Sequence, residues 1–200
     1  GNFTMVGEQR FEVKGGLNET TVNLTRLVAK VVLKPVAVAN DLQSKITPVR
    51  AFMMNVNGVS WVRGTSTGDA EYNDPIFNGY INKDAYAEGY LSQLSSSFSN
   101  PSNNSIFYAF ENKGATAKTM LCIEANYIKE DGTKVPVYYS IVVKTGEEAK
   151  ILRNNVYTLS ATIKRPGSLK PEIPSGDGDL EVSISVDEWI YNYEQSESFE

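Results

Sequence analysis

Leu121-Cys122-Ile123-Glu124-Ala125-Asn126-Tyr127, a turn at Glu130-Asp131-Gly132, and then Val135, Val137, Tyr139, Ile141 and Val143 at every second position form the stretch that decides the fold. A strand sends successive side chains to opposite faces, so two alternating runs around an Asp-Gly turn predict an antiparallel hairpin with one face buried. The pattern continues downstream. Tyr157, Leu159, Ala161 and Ile163 form a further half-buried strand, and a Pro/Gly linker runs from Pro166-Gly167 through Pro171 and Pro174 to Ser175-Gly176. Leu180, Val182, Ile184 and Val186 then alternate against Glu181, Ser183, Ser185 and Asp187. Four strands of antiparallel type make a sandwich sheet the economical assignment. After Val186 the parity flips, with Trp189, Tyr191 and Tyr193 on odd positions, which predicts a bulge or a change of environment near Asp187-Glu188.

Upstream, residues 21–33 read as a long apolar run ended by Lys34-Pro35. Leu27, Ala29, Val31 and Leu33 fall on one strand face and Val22, Leu24, Val28 and Val32 on the other, so the strand is covered on both sides or the run is a helix. Residues 48–56 lead through Asn57-Gly58 into Val59-Ser60-Trp61-Val62, which predicts a second hairpin. Between residues 64 and 104 polar and glycine residues dominate, which predicts long surface loops with a strand-like stretch at 76–81. A short helix is expected at 84–94, where Asp84 can cap the start and Tyr86, Tyr90 and Leu94 share a face, although Gly89 interrupts it.

Composition narrows the chemistry. Two hundred residues with 41% hydrophobic content suffice for one large β domain, or for one domain and part of another. Net charge is -5 and the 19 Lys and Arg are scattered, so no footprint for a nucleic-acid backbone is present. No stretch approaches the roughly 20 apolar residues that span a bilayer, and Gly1-Asn2-Phe3-Thr4-Met5 is not a leader, so an export signal is expected upstream. Cys122 is the only cysteine and histidine is absent. That excludes an intramolecular disulfide, His- or Cys-based metal sites and histidine acid–base catalysis, and the chain is expected to be no enzyme and to need no cofactor. Cys122, inside Met120-Leu121-Cys122-Ile123, reads as a small buried hydrophobe rather than a reactive thiol. Asp69, Glu71 and Asp74 are the carboxylates a glycosidase would need, but acids in polar loops are ordinarily solvated. Asp177, Asp179 and Glu181 read as a turn with surface acids rather than a calcium loop. Among the loop aromatics, Tyr72, Phe77 and Tyr80 either face a ligand such as a glycan or plug the core.

Several stretches resemble a known family. Leu24-Thr25-Arg26-Leu27-Val28-Ala29-Lys30-Val31 resembles the Arg-x-x-Ala-Lys-Val strand of the Bacteroidales fimbrillin superfamily, the subunits of type V pili. Ile151-Leu152-Arg153-Asn154-Asn155-Val156-Tyr157 resembles the family's Arg-Asn-x-x-Tyr lead-in to a strand, and Ile163-Lys164-Arg165-Pro166-Gly167 resembles that strand's exit. The linker, the alternating strand and the Glu188-Trp189 pair resemble the family's C-terminal end.

The resemblance implies an all-β fold: a fimbrillin-type antiparallel β-sandwich with long loops and a partial N-terminal β domain. Residues 1–33 would be the last strands of that first domain, and residues 34–200 the C-terminal sandwich with a loop insertion at 64–104 and a tail at 187–200. The family's N-terminal segment, with its lipidated cysteine and cleavable strand, would lie outside this chain. It also implies a structural subunit of a fimbrium at the outer membrane and cell surface, touching the membrane only through a lipid anchor on the precursor. Its partners would be other pilus subunits joined by β-strand addition, with host or bacterial surface glycans or proteins as further contacts. A donor tail would be carried by Trp189, Ile190, Tyr191, Tyr193 and Phe199, and a non-polymerising tip adhesin or carbohydrate-binding module is the alternative.

Overall fold

The computed structural model describes residues 3–16, 18–58, 60, 62, 76–77, 95–98, 103–113 and 117–190. Among these residues every regular element is a strand. The hairpin that opened the sequence reading is β10 (Met120–Ile128) and β11 (Lys134–Val142), paired without a shift from Met120↔Val142 to Ile128↔Lys134. Its turn needs Gly132, which sits at φ +82, and Asp131 Oδ1 accepts the Thr133 N–H at 2.8 Å. On the other side of β10 lies β5 (Ile46–Met54), followed by β8 (Ser95–Ser97), giving the sheet order β11-β10-β5-β8.

The second sheet has the order β13-β12-β3-β9, from β13 (Leu180–Glu188), β12 (Asn155–Ile163), β3 (Val28–Leu33) and β9 (Ser105–Phe110). The short β4 (Ala37–Val38) also pairs with β12. The β12–β3 pairing is parallel, from Val156↔Lys30 to Leu159↔Leu33. Two small ladders complete the inventory: β1 (Met5–Val6) with β2 (Thr25–Arg26), and β6 (Val56–Asn57) with β7 (Ile76–Phe77).

The two large sheets share one core. Ala29, Val31 and Leu33, Phe107 and Ala109, and Tyr157, Leu159, Ala161 and Ile163 come from one sheet. Ala51 and Met53, Leu121, Ile123 and Ala125, and Val137, Tyr139 and Ile141 come from the other. This is the β-sandwich read from the alternation, and each large side chain buried in it contributes about 1.5–3 kcal/mol of transfer free energy. A smaller buried cluster of Phe52, Met54, Met120, Cys122 and Tyr138 lies on the opposite face of β5, β10 and β11. Burial pushes the Cys122 thiol up to about 12, so it behaves as the small hydrophobe expected.

Several expectations change. Of the apolar run 21–33, Thr25–Arg26 and Val28–Leu33 are strand, and Val28–Leu33 lie between β12 and β9 in the middle of their sheet. Three of them are core residues shared with the strands on either side. Val56 and Asn57 make a longer-range pairing, Val56↔Phe77 and Asn57↔Ile76, and the return strand of the hairpin expected at Asn57-Gly58 lies partly outside the described residues. Of the two alternatives at Asp187-Glu188, a bulge is ruled out because the ladder with β12 is unbroken to Asn155↔Glu188, and the change of environment is the strand's end there. The expected helix at 84–94 lies outside the described residues.

The edges are finished in contrasting ways. The linker after β12 returns along the outer edge of β11, where Tyr138 and Ser168 exchange backbone hydrogen bonds of 2.7 and 3.0 Å and Ser175 N–H donates to Ser140 O at 2.9 Å. Ser140 Oγ donates to Pro171 O, and Tyr139 Oη donates to Arg165 O at 2.9 Å. This strap requires Gly167, because a Cβ there would sit 2.5 Å from Tyr138 O. Along the outer edge of β13, by contrast, no strand pairs among the described residues.

Candidate functional site

The chain leaves β13 at Trp189, and both backbone groups of that residue are held. Trp189 N–H donates to Asn154 O at 2.8 Å, and the Arg26 guanidinium donates from Nη1 to Trp189 O at 2.8 Å. Arg26 reaches this point because β2 ends two residues before β3 begins, which puts it beside the turn that leads into β12. That turn depends on Asn154, a non-glycine residue in the left-handed region at φ 57, which asparagine tolerates better than most. Asn154 N–H donates to Val28 O at 3.0 Å, and Asn154 Oδ1 accepts from Arg26 Nη1 at 3.3 Å. Asn154 thus bonds the start of β3 with its backbone and Arg26 with its side chain.

The indole completes an aromatic group on the outer face of the β13-β12-β3-β9 sheet. Tyr108 of β9 stacks on Trp189 with centroids 6.0 Å apart and planes 13° apart. Phe3 meets the indole edge-on at 5.4 Å and Tyr108 at 4.5 Å. The Arg26 guanidinium lies 4.6 Å from the indole centroid, with Lys30 Nζ at 5.8 Å. Ring pairs and cation–π contacts of this kind are worth about 0.5–1.5 kcal/mol each. Four residues scattered over the chain, Phe3, Arg26, Lys30 and Tyr108, therefore converge on Trp189 just past the end of β13.

A second polar centre supports the same turn. Arg153 Nη2 lies 3.6 Å from the buried Glu111 Oε1, and Lys113 Nζ lies 3.3 Å from the same oxygen. Tyr157 Oη accepts the Leu152 N–H at 2.7 Å and pairs with Thr145 Oγ1 at 2.8 Å, fixing the loop that precedes β12. The motif Arg153-Asn154-Asn155-Val156-Tyr157 is therefore an ion-pair anchor, a left-handed turn and a buried hydroxyl tie.

Of the residues singled out as a donor tail, Trp189 is the centre of this junction and Ile190 is 68% exposed beyond it. Tyr191, Tyr193 and Phe199 lie outside the described residues, as do Tyr72 and Tyr80. Phe77 belongs to β7, opposite Val56. Asp69, Glu71 and Asp74 also lie outside the described residues, and no group of three His, Cys, Asp or Glu among the described residues could hold a metal ion. Glu181 is engaged by Lys164, which holds its carboxyl below the usual value. Sequence reasoning did not assign Phe3, Arg26, Lys30, Tyr108 or Asn154 to a site, although Arg26, Lys30 and Asn154 all stood in motifs noted for other reasons.

Two sheets packed on one core define the class as a β-sandwich. A family model for the C-terminal domain of the FimA-like major fimbrial subunit protein matches residues 59–189. The chain belongs to that family, one of structural fimbrial subunits.

Solved structures share the fold. A candidate cell adhesion protein from Bacteroides eggerthii superimposes with a TM-score of 0.67 at 23% identity, covering 92% of this chain and 62% of that one. A fimbrilin from Porphyromonas gingivalis gives 0.64 at 20% identity, covering 91% and 65%. A candidate cell adhesion protein from Parabacteroides distasonis gives 0.58 at 18% identity, covering 93% and 66%. The chain thus spans less than two thirds of each of these proteins. No curated protein matches it.

Proposed function

We propose that this chain is a non-enzymatic structural subunit of a cell-surface pilus that joins its neighbours by β-strand addition. The C-terminal segment that begins at Trp189 and Ile190 and continues through Tyr191, Tyr193 and Phe199 is the strand given to the next subunit. The receiving side is the N-terminal end, where residues 3–26 form the last part of an N-terminal β domain. Added strands gain ladder hydrogen bonds along the backbone and specificity from alternate side chains that fill pockets. A donor segment and a different acceptor segment make the contact heterologous, so it propagates into a filament. The subunit sits on the outer surface, with the membrane reached through a lipid anchor on the precursor.

One observation carries this reading beyond family membership. Met5, Phe11, Val13, Val22 and Leu24 are all exposed, Val13 to 77% and Leu24 to 57%, Met5 within β1 and the others in the segment that joins β1 to β2. A lone surface apolar residue is ordinary, whereas a group of them beside open strands calls for a cover. The C-terminal segment supplies apolar surface of the kind that could cover them, with aromatics at Tyr191, Tyr193 and Phe199.

The test is to express the full precursor with and without residues 190–200, treat the purified protein with protease, and compare negative-stain micrographs and unheated gels. Ladders or filaments that vanish with the truncation support the reading. A truncated protein that still polymerises contradicts it. An intact subunit that stays monomeric yet terminates filaments of another subunit is a capping tip protein, for which loop contacts with surface glycans or proteins are the natural next question.

A further inference from the structure

Three motifs that are remote in sequence, around Arg26, Asn154 and Trp189, meet at one point, and that point is the root of the C-terminal tail. The contact is more than packing. Trp189 has its N–H and its C=O each committed to a partner outside β13, and Arg26 bonds that carbonyl while lying against the indole. Two of the groups on Trp189, Arg26 and Phe3, belong to the N-terminal segment. Leu27 N–H donates to Thr4 O at 3.1 Å, so Phe3 and Arg26 are themselves held in one local unit.

We propose that Arg26, set in place by Asn154, is the positioning residue that latches the root of the tail to the N-terminal segment, so that disturbing either end releases the other. This rests on the reading of the tail as an inter-subunit strand. The latch would keep a monomer's tail oriented until the N-terminal segment is rearranged, and then free Trp189 and the residues after it together. Arginine suits the role because its planar group can donate to a carbonyl and lie over a ring at the same time, which the single ammonium of lysine cannot reproduce.

The test uses the full-length subunit carrying Trp61→Phe, which leaves Trp189 as the only tryptophan of the chain. Arg26→Met removes the hydrogen bond and the cation–π contact while keeping an aliphatic stem. The expected result is a red-shifted Trp189 emission, acrylamide quenching raised by about threefold, and faster polymerisation, as follows from losing contacts of about a tenfold equilibrium weight. Asn154→Gly keeps the left-handed turn and both backbone bonds but removes the side-chain acceptor, so it should give a smaller change of the same sign. If Arg26→Met does not fold, Asn154→Gly decides the matter alone. Emission and quenching unchanged in a folded variant would overturn the latch. Failure of the tail reading is separable: polymerisation that survives removal of residues 190–200 defeats that reading, while the Trp189 signal still decides whether the latch exists.

Discussion

The outer edges of β11 and β13 belong to strands of nine residues each, yet the fold finishes them by different means. β11 is closed by its own downstream chain through the Tyr138–Ser168 and Ser140–Ser175 backbone bonds. β13 has no such cover among the described residues and instead presents exposed Glu181, Asp187 and Glu188. If two β13 edges met antiparallel about Ile184, Glu181 would face Asp187 at both ends, and like charges directly opposite are destabilising. Exposed edges invite pairing, and natural proteins blunt them with covering segments or with charge. Here the strap seals β11, whereas charge along β13 discourages pairing with a second copy of the same strand.

Breaking the seal should have the largest effect. Gly167→Val would place a Cβ 2.5 Å from Tyr138 O and 2.9 Å from Tyr139 Cε1, with backbone on one side that cannot yield. We expect the strap to lift and stability to fall by about 3 kcal/mol in urea titration. The control is Gly176→Ala, where nothing lies within 4 Å of the added Cβ and the change should stay within about 0.5 kcal/mol.

Removing the charge should change association more than folding. Glu181→Thr with Asp187→Thr takes away the cross-strand repulsion, and sedimentation velocity should show the subunit moving toward dimers, by about tenfold in the association constant, with little change in melting temperature. Acid should act in the same direction on the unmodified protein. Lys164 holds the Glu181 carboxyl below the usual carboxylate value, through a hydrogen bond first and charge second. A depressed value means that the Lys164 pairing is present above the ordinary carboxylate range and lost as pH falls through the lowered one. Protonation of Glu181 therefore weakens the repulsion only at the acid end.

The smallest effect concerns the tie between the strap and the core. Burial raises the Tyr139 hydroxyl from 10.0 to about 12. For a raised value the stabilisation is complete below 10 and is lost as pH climbs toward 12, so the sealed edge should weaken in alkali over that interval. Tyr139→Phe removes the bond to Arg165 O, should cost about 1 kcal/mol, and should flatten the alkaline limb of the stability profile.

How much of this was legible beforehand depended on range. The β10–β11 hairpin, β12 and β13 follow from alternation and an Asp-Gly turn, because those signals are local and the buried face repeats every second residue. The parallel pairing of β12 with β3 spans more than a hundred residues and leaves no local mark in the sequence. The pairing of Val56–Asn57 with Ile76–Phe77 is likewise long-range and has no local signal. At the candidate site Trp189 stood out through its parity, but Arg26 and Asn154 did not. Their roles depend on a backbone carbonyl and a left-handed turn that exist only once the sheet has formed.

The central claim, that the C-terminal segment of one subunit lies against the N-terminal segment of the next, can be tested by cross-linking. Cys122 is buried with its thiol pushed up to about 12, so it should not interfere. Pili assembled from subunits carrying both Leu24→Cys and Tyr193→Cys, or both Val22→Cys and Tyr193→Cys, would be oxidised and run on non-reducing gels. The account predicts a ladder of covalent multimers from the double variants and none from either single variant. Filaments that form normally while their introduced cysteines link only within one chain, or fail to link in both pairs, would contradict it.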